Sequence, residues 1–237
     1  MTGWALVAYA GAVLLAGPAS AACPTPLADA TRLILVTTAT MNGADATLQT
    51  FERTSLADSW RQRSGPQAAV VGKTGLGWGL TYRGEAKAGE PIKIEGDGRS
   101  PAGIFALGPA FGFAPSDLPG YLEIERGVQI CVDDPTSPHY SQIVTQEEAG
   151  KGVSGESMGA IPLYKRGIVV DYPTSGGAKS GSCIFVHIWR GRGQGTVGCV
   201  AAPEATVADL QAWAGSGGAV IAILPDGAID RFSGCLP

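Results

Sequence analysis

The stretch SCIFVHIWRGRGQGTVGC, residues 182–199, decides how the chain folds around its chemistry. Its first eight residues, SCIFVHIW, are mostly apolar, β-branched or aromatic with no Gly or Pro, which reads as a strand. Alternation places Cys183, Phe185, His187 and Trp189 on one face and Ile184, Val186 and Ile188 on the other. Both faces are apolar, so the strand is central and buried on both sides. A glycine-rich loop follows and closes on Gly198-Cys199. Two readings of His187 stay open here: a satisfied core histidine, or a general base at a strand end facing a loop. Cys199 is likewise either half of a disulfide or a nucleophile.

Working outward, GIVVDY (167–172) and AVIAILP (219–225) are buried strands of the same kind. RLILVTTAT and ATLQTFERT flank Asn42-Gly43, a hairpin pattern. QAAVVG (67–72) is another short apolar run, GIFALGPAFGF (103–113) reads as strand then turn, and YLEIERGVQICVDD (121–134) alternates until Pro135. The one clear helix is TVADLQAWA (206–214). It starts either at a capping-box-like Thr206 with Asp209, or earlier, with Pro203 in its first turn and Glu204 near its positive end. Many short strands and one or two short helices predict a single, mostly-β domain.

Hydrophobic residues make up 45% of the 237 and charged residues 16%, enough apolar material for a proper core. The net charge is −4 and no Lys/Arg stripe exists, which disfavours nucleic acid as a partner. Residues 4–17, WALVAYAGAVLLAG, are apolar but short for a membrane span, and Ala19-Ser20-Ala21 offers a small-x-small cleavage site. Residues 1–21 therefore read as a signal peptide, although no Lys or Arg precedes the apolar run; 22–30 read as a lead-in, and 31–237 as the domain with its C-terminal tail. Ser20 stands where a lipoprotein signal usually has Leu, which argues against lipid on Cys23. No other segment is long and apolar enough to act as a transmembrane anchor. The expected location is exported, and periplasmic. In an oxidising compartment cysteines pair, yet Cys23, Cys131, Cys183, Cys199 and Cys235 are five. The odd one suggests a thiol with a task.

The residue types around Cys199 suit acyl transfer through a thioester. A histidine accepts the thiol proton, backbone N–H groups at Gly198 and Cys199 stabilise an oxyanion, and the nearby helix start adds positive potential if it points at the sulfur. Other patterns carry less. Gly72-Lys73-Thr74 lacks the first glycine of a phosphate loop, since Gln67 stands there. Asp133-Asp134 precedes Pro135 and reads as a turn. His139 and His187 lack zinc-site spacing, and Asp97 in EGDGRS has too few oxygen ligands nearby for calcium. No metal or organic cofactor is implied.

VHIWRGRGQGTVGCVA resembles the active-site signature of the L,D-transpeptidase catalytic domain (YkuD) family: a strand-borne His, a loop, then Ser/Thr-x-Gly-Cys, here His187, Thr196, Gly198 and Cys199. GKTGLGWG, GDGRSPAGIFALGPAFGF, CVDDPTSPHY, YKRGIVVDY and GSCIFVHIW resemble, in the same order, segments of an exported branch of that family. The resemblance runs from about Ala68 to Pro225. It implies a β-sandwich-like domain that acts on peptidoglycan stem tetrapeptides, with Cys199 as nucleophile and His187 as base. The histidine would be oriented by a backbone carbonyl, that of Ile188. An amine acceptor gives a 3→3 cross-link or a protein attachment; water gives trimming. Carbapenem-type inhibitors are expected to acylate Cys199. One departure stands out: many members carry Arg two residues after the cysteine, where this chain has Ala201. Arg190 or Arg192 would then pair with a substrate carboxylate, or else both are solvated loop charges. With Cys199 free, the favoured pairings are Cys23–Cys235 and Cys131–Cys183. A Cys183–Cys199 bridge is the minor alternative, and a non-catalytic, disulfide-stapled wall-binding module the rival of another class.

Overall fold

The computed structural model describes Met1 and residues 23–215 and 217–237. The signal peptide assigned to 1–21 therefore lies, Met1 apart, outside the described residues. The strands in chain order are β1 (Arg32–Thr38), β2 (Asp45–Glu52), β3 (Arg61–Val70), β4 (Leu76–Trp78), β5 (Ser100–Gly112), β6 (Leu122–Glu123) and β7 (Gln129–Val132). They continue with β8 (Ile143–Thr145), β9 (Gly155–Ser157), β10 (Arg166–Asp171), β11 (Phe185–Ile188), β12 (Val200–Ala202) and β13 (Ala219–Pro225). The α-helical segments are α1 (Thr25–Ala28), α2 (Gln146–Ala149) and α3 (Glu204–Ala214), joined by four short 3-10 segments.

The protein is mostly β. Its main sheet runs β10-β11-β12-β3-β2-β1-β13-β5 and closes where β5 pairs with β10, so eight strands form a barrel; β4 and β6 add to β5. A second, three-stranded sheet has the order β8-β7-β9. The Asn42-Gly43 segment does join an antiparallel pair, Arg32–Thr37 against Thr47–Glu52. Every residue of β13 is buried, as its unbroken apolar run requires. α3 packs on β10 and β11, α1 on β5, and the 3-10 segment Asp226–Phe232 on β13.

Two elements differ from their sequence reading, and a third decides between alternatives. GIFALGPAFGF does not turn: β5 is one strand of 13 residues. It pairs with β13 through Gly103–Ala106 and with β10 through Ala106–Gly112, and the register shifts between Ile168 and Val170, opposite Pro109. A proline offers no ladder N–H, and the bulge falls where none is needed. YLEIERGVQICVDD is not one strand, because a turn closed by Val128 N–H on the Glu125 carbonyl (3.2 Å) separates β6 from β7. α3 takes the earlier of its two starts, with Glu204 in its first turn. Thr206 instead donates to Gln67 Oε1 (2.7 Å), and Asp209 pairs with Arg63 (2.7 Å).

Residues 23–30 are part of the domain as well. Leu27 and Ala30 belong to the main core. The Arg53 guanidinium donates to the carbonyls of Leu27, Ala28 and Ala30 while stacking on Trp60. A disulfide joins Cys23 to Cys235, across 212 residues, and another joins Cys131 to Cys183. Among the described residues no helix is long and apolar enough to cross a membrane. The first disulfide closes nearly the whole domain, so it restricts the unfolded chain strongly. Replacing Cys23 and Cys235 together by Ser should lower the unfolding free energy by about 2–4 kcal/mol in urea titrations. An unchanged urea midpoint would mean the ends are held by Arg53 and the core alone.

Candidate active site

β11 lies between β10 and β12, with His187 opposite Gly167 on one side and Ala201 on the other. The imidazole is buried, and its Nδ1 lies 2.8 Å from the Ile188 carbonyl. A carbonyl only accepts, so Nδ1 carries the proton and Nε2 keeps its lone pair. Burial holds the histidine down at about 4, with the neighbouring Arg190 charge acting the same way. The ring is also braced edge-on by Tyr164, at 5.1 Å between centroids.

Cys199 sits at the mouth of β12 and is the one cysteine outside a disulfide among the described residues. Its carbonyl accepts from the Ser100 hydroxyl (2.9 Å) and the Thr196 hydroxyl (2.6 Å). Its thiol faces the Cys183 carbonyl at 3.4 Å. Burial pushes the thiol up to about 12, and the Glu156 carboxylate adds to the rise; the Phe185 N–H, the Tyr164 hydroxyl and the Lys93 charge act against it. At neutral pH the pair is therefore a thiol and a neutral imidazole, not an ion pair.

His187 and Cys199 line one cavity of about 260 Å3 with Glu156, Tyr164, Trp189 and Arg190. An adjoining cavity of about 180 Å3 shares Glu156, Tyr164, Val197 and Cys199 and adds Glu95 and Asp133. The residues singled out from the sequence fare unequally. Arg190 lines the cavity; Arg192 does not, and instead lines a separate groove with Asp45 and Asp226. Thr196 borders the cavity, but its hydroxyl is committed to the backbone, donating to Cys199 and accepting the Gly198 N–H (3.0 Å). That same bond occupies the N–H expected to serve an oxyanion. Ala201 borders the cavity where the family resemblance places an arginine. The start of α3 does not follow Cys199 directly, because β12 intervenes, and Glu204 there pairs with Lys165 (2.7 Å). The lysine of Gly72-Lys73-Thr74 donates its N–H to the Thr196 carbonyl (2.8 Å), so this segment backs the His-to-Cys loop. A side chain on Gly195 would meet the Lys73 Cα at 2.5 Å, which explains a glycine there. Asp134 caps Thr136 in a turn, and Asp97 ties its own loop to Lys93 (2.6 Å) and the Arg99 N–H (2.9 Å). His139 contacts Gln142 and borders neither cavity.

Sequence reading missed Glu156, Tyr164 and Ser100. Ser100 and Tyr164 lie in GDGRSPAGIF and YKRGIVVDY, but nothing in either segment says that they meet Cys199. Glu156 lies in no motif at all. No protein-family model matches the chain, and no curated protein matches it.

The buried neutral histidine sets an acid limit on stability. An unfolded imidazole binds its proton near pH 6.5, the folded one only near 4, so the unfolded state takes up the proton first as pH falls. This contribution to stability is full above about pH 6.5 and is lost down to about pH 4, amounting to roughly 3 kcal/mol. Urea midpoints measured from neutral pH down to pH 4 should fall more steeply in the wild type than in His187→Gln. Parallel declines would assign the acid sensitivity to other groups.

Proposed function

We propose that the chain is an exported cysteine acyltransferase of the L,D-transpeptidase (YkuD) kind, acting on peptidoglycan stem tetrapeptides in the periplasm. The observation that carries this reading is that Cys199, the one cysteine outside a disulfide among the described residues, lines one cavity with His187, whose tautomer the Ile188 carbonyl fixes. The family resemblance implies a mostly-β domain, and the protein is mostly β, although its main sheet closes into a barrel. Two disulfides suit an oxidising compartment.

In this mechanism Cys199 attacks the carbonyl of the third stem residue while its proton passes to His187 Nε2. The thiol is neutral at rest, so the proton moves with the attack and not before it. The tetrahedral intermediate collapses as the imidazolium protonates the leaving terminal D-Ala amine. A thioester remains on Cys199. His187 then takes a proton from an acceptor amine, which attacks the thioester and restores the thiol. The Cys199 backbone N–H serves the oxyanion, and Gly198 N–H joins it by leaving Thr196 Oγ1. Arg190, at the cavity edge, receives a substrate carboxylate. These steps balance without a metal or organic cofactor. A carbapenem acylates the same sulfur.

Purified disaccharide-tetrapeptides incubated with the mature enzyme should yield, by mass spectrometry, a cross-linked dimer lacking one terminal D-Ala. Cys199→Ala should yield none, a loss of at least about a thousandfold given what a covalent nucleophile supplies. Tripeptide without dimer would identify the enzyme as an L,D-carboxypeptidase. Untouched substrate, with wall binding preserved in Cys199→Ala, would sink the catalytic reading in favour of a wall-binding module.

A further inference from the structure

The group facing Cys199 from the second sheet is Glu156. β9 pairs with β7 so that Glu156 stands opposite Cys131, and its carboxylate borders both cavities at the sulfur. The Tyr164 hydroxyl donates to Glu156 Oε2 at 2.7 Å. Tyr164 itself is 4% exposed, and its ring is locked edge-on against Phe111, Phe185 and His187. Tyr164 and Cys199 belong to one buried cluster and line the same two cavities. A phenol has one proton to donate. While Glu156 holds it, the sulfur goes without.

We propose that Glu156 and Tyr164 are positioning residues for the nucleophile: Tyr164 offers its hydroxyl proton to the thiolate of Cys199, and Glu156 competes for that proton and disfavours the thiolate by its charge. The pair thereby keeps the thiol protonated until substrate arrives. This rests on Cys199 being the reactive thiol of the proposed enzyme, but not on what it acylates. As the sulfur loses its proton to His187, the hydroxyl turns from the carboxylate to the developing negative charge. No proton leaves Tyr164; only its hydrogen-bond acceptor changes. Burial already holds Glu156 above the ordinary carboxylate range, with Asp133 acting the same way.

The other charged groups around Cys199 are accounted for. His187 approaches on β11 and is neutral. Lys93 is buried and bound to Asp97 (2.6 Å), so its charge is a fixed background. Glu95 accepts from Tyr140 (2.5 Å) and Asp133 from Ser154 (2.5 Å), which leaves Glu156 as the carboxylate that shares a partner with the sulfur. Arg190 acts on His187.

The test needs no wall substrate: the rate of Cys199 alkylation by iodoacetamide across the neutral-to-alkaline range, followed by intact mass. Glu156→Gln keeps an acceptor for Tyr164 and removes the charge, so alkylation at fixed pH should rise about three- to tenfold, equivalent to a thiol shift of roughly half to one pH unit. Tyr164→Phe keeps the ring stack and removes the proton, so the rate should fall by a similar factor. A residue that mattered only for packing would move both variants the same way. A Glu156→Gln protein whose rate does not rise, or a Tyr164→Phe protein whose rate does not fall, overturns the proposal by itself. Either result leaves the transpeptidase reading to be judged by its products.

Discussion

The Ser100 hydroxyl is the point on which the site hangs. It has no solvent exposure, accepts the Gly72 N–H at 2.9 Å and donates to the Cys199 carbonyl at 2.9 Å. It thus joins the segment after β3, the start of β5 and the backbone of Cys199. Losing it would orphan a buried N–H, at a cost of about 1–3 kcal/mol, and leave the Cys199 carbonyl with Thr196 alone. The close approach also explains Gly72, where a side chain would lie 2.3 Å from the Gly98 carbonyl. Asp97 shapes the loop that presents Ser100, through Lys93 and the N–H groups of Ile94 and Arg99. A partly buried carboxylate with this many donors is satisfied by the loop itself, so its place is architectural.

The second sheet is tied to this site by Cys131–Cys183. Cys131 stands opposite Glu156 in the β7–β9 pair, and the Cys183 carbonyl faces the Cys199 thiol. Cys183 holds a φ of +55°, a left-handed conformation that costs a non-glycine residue about 1–2 kcal/mol. The disulfide on one side and the bond from its N–H to Ser141 Oγ (3.1 Å) on the other hold it there. One covalent link therefore sets both the carbonyl that touches the sulfur and the strand that brings the carboxylate. β11 of the barrel carries the histidine and Cys199 leads into β12; the small sheet brings the Glu156 carboxylate to the same cavities.

What the sequence made legible follows from how local each cause is. The strands at β10, β11 and β13 could be read because their apolar runs have one physical meaning in a chain of this size. The two faces of β11 could be read too, since Val186 and Ile188 join the main core while Phe185 joins the cluster around Cys199. The length of β5 was hidden by Pro109, which looks like a breaker until β5 itself is seen to bulge there, with Gly108 and Pro109 against Val169 alone. Arg192 was out of reach of spacing alone: it lies two residues from Arg190 but lines another groove. Ser100, Glu156 and Tyr164 were out of reach for a different reason. Each acts on a residue 35 or more positions away, as Tyr164 does on Cys199, and a single sequence carries no record of such meetings.

A resting pair of neutral groups has a consequence for how the chemistry is controlled. Thiol and imidazole are separated from charge by burial on both sides, with the cysteine raised to about 12 and the histidine lowered to about 4. Forming the ion pair in advance would mean stabilising a thiolate where Glu156 already opposes it. In the proposed enzyme charge would develop only where the substrate itself spreads it, over an oxyanion and a leaving amine. Such a site would exchange nucleophilic readiness for selectivity. The glycine-rich loop would fit that arrangement, since Thr196 Oγ1 holds the Gly198 N–H that an oxyanion would take. Substrate binding and the completion of the site would then be one event.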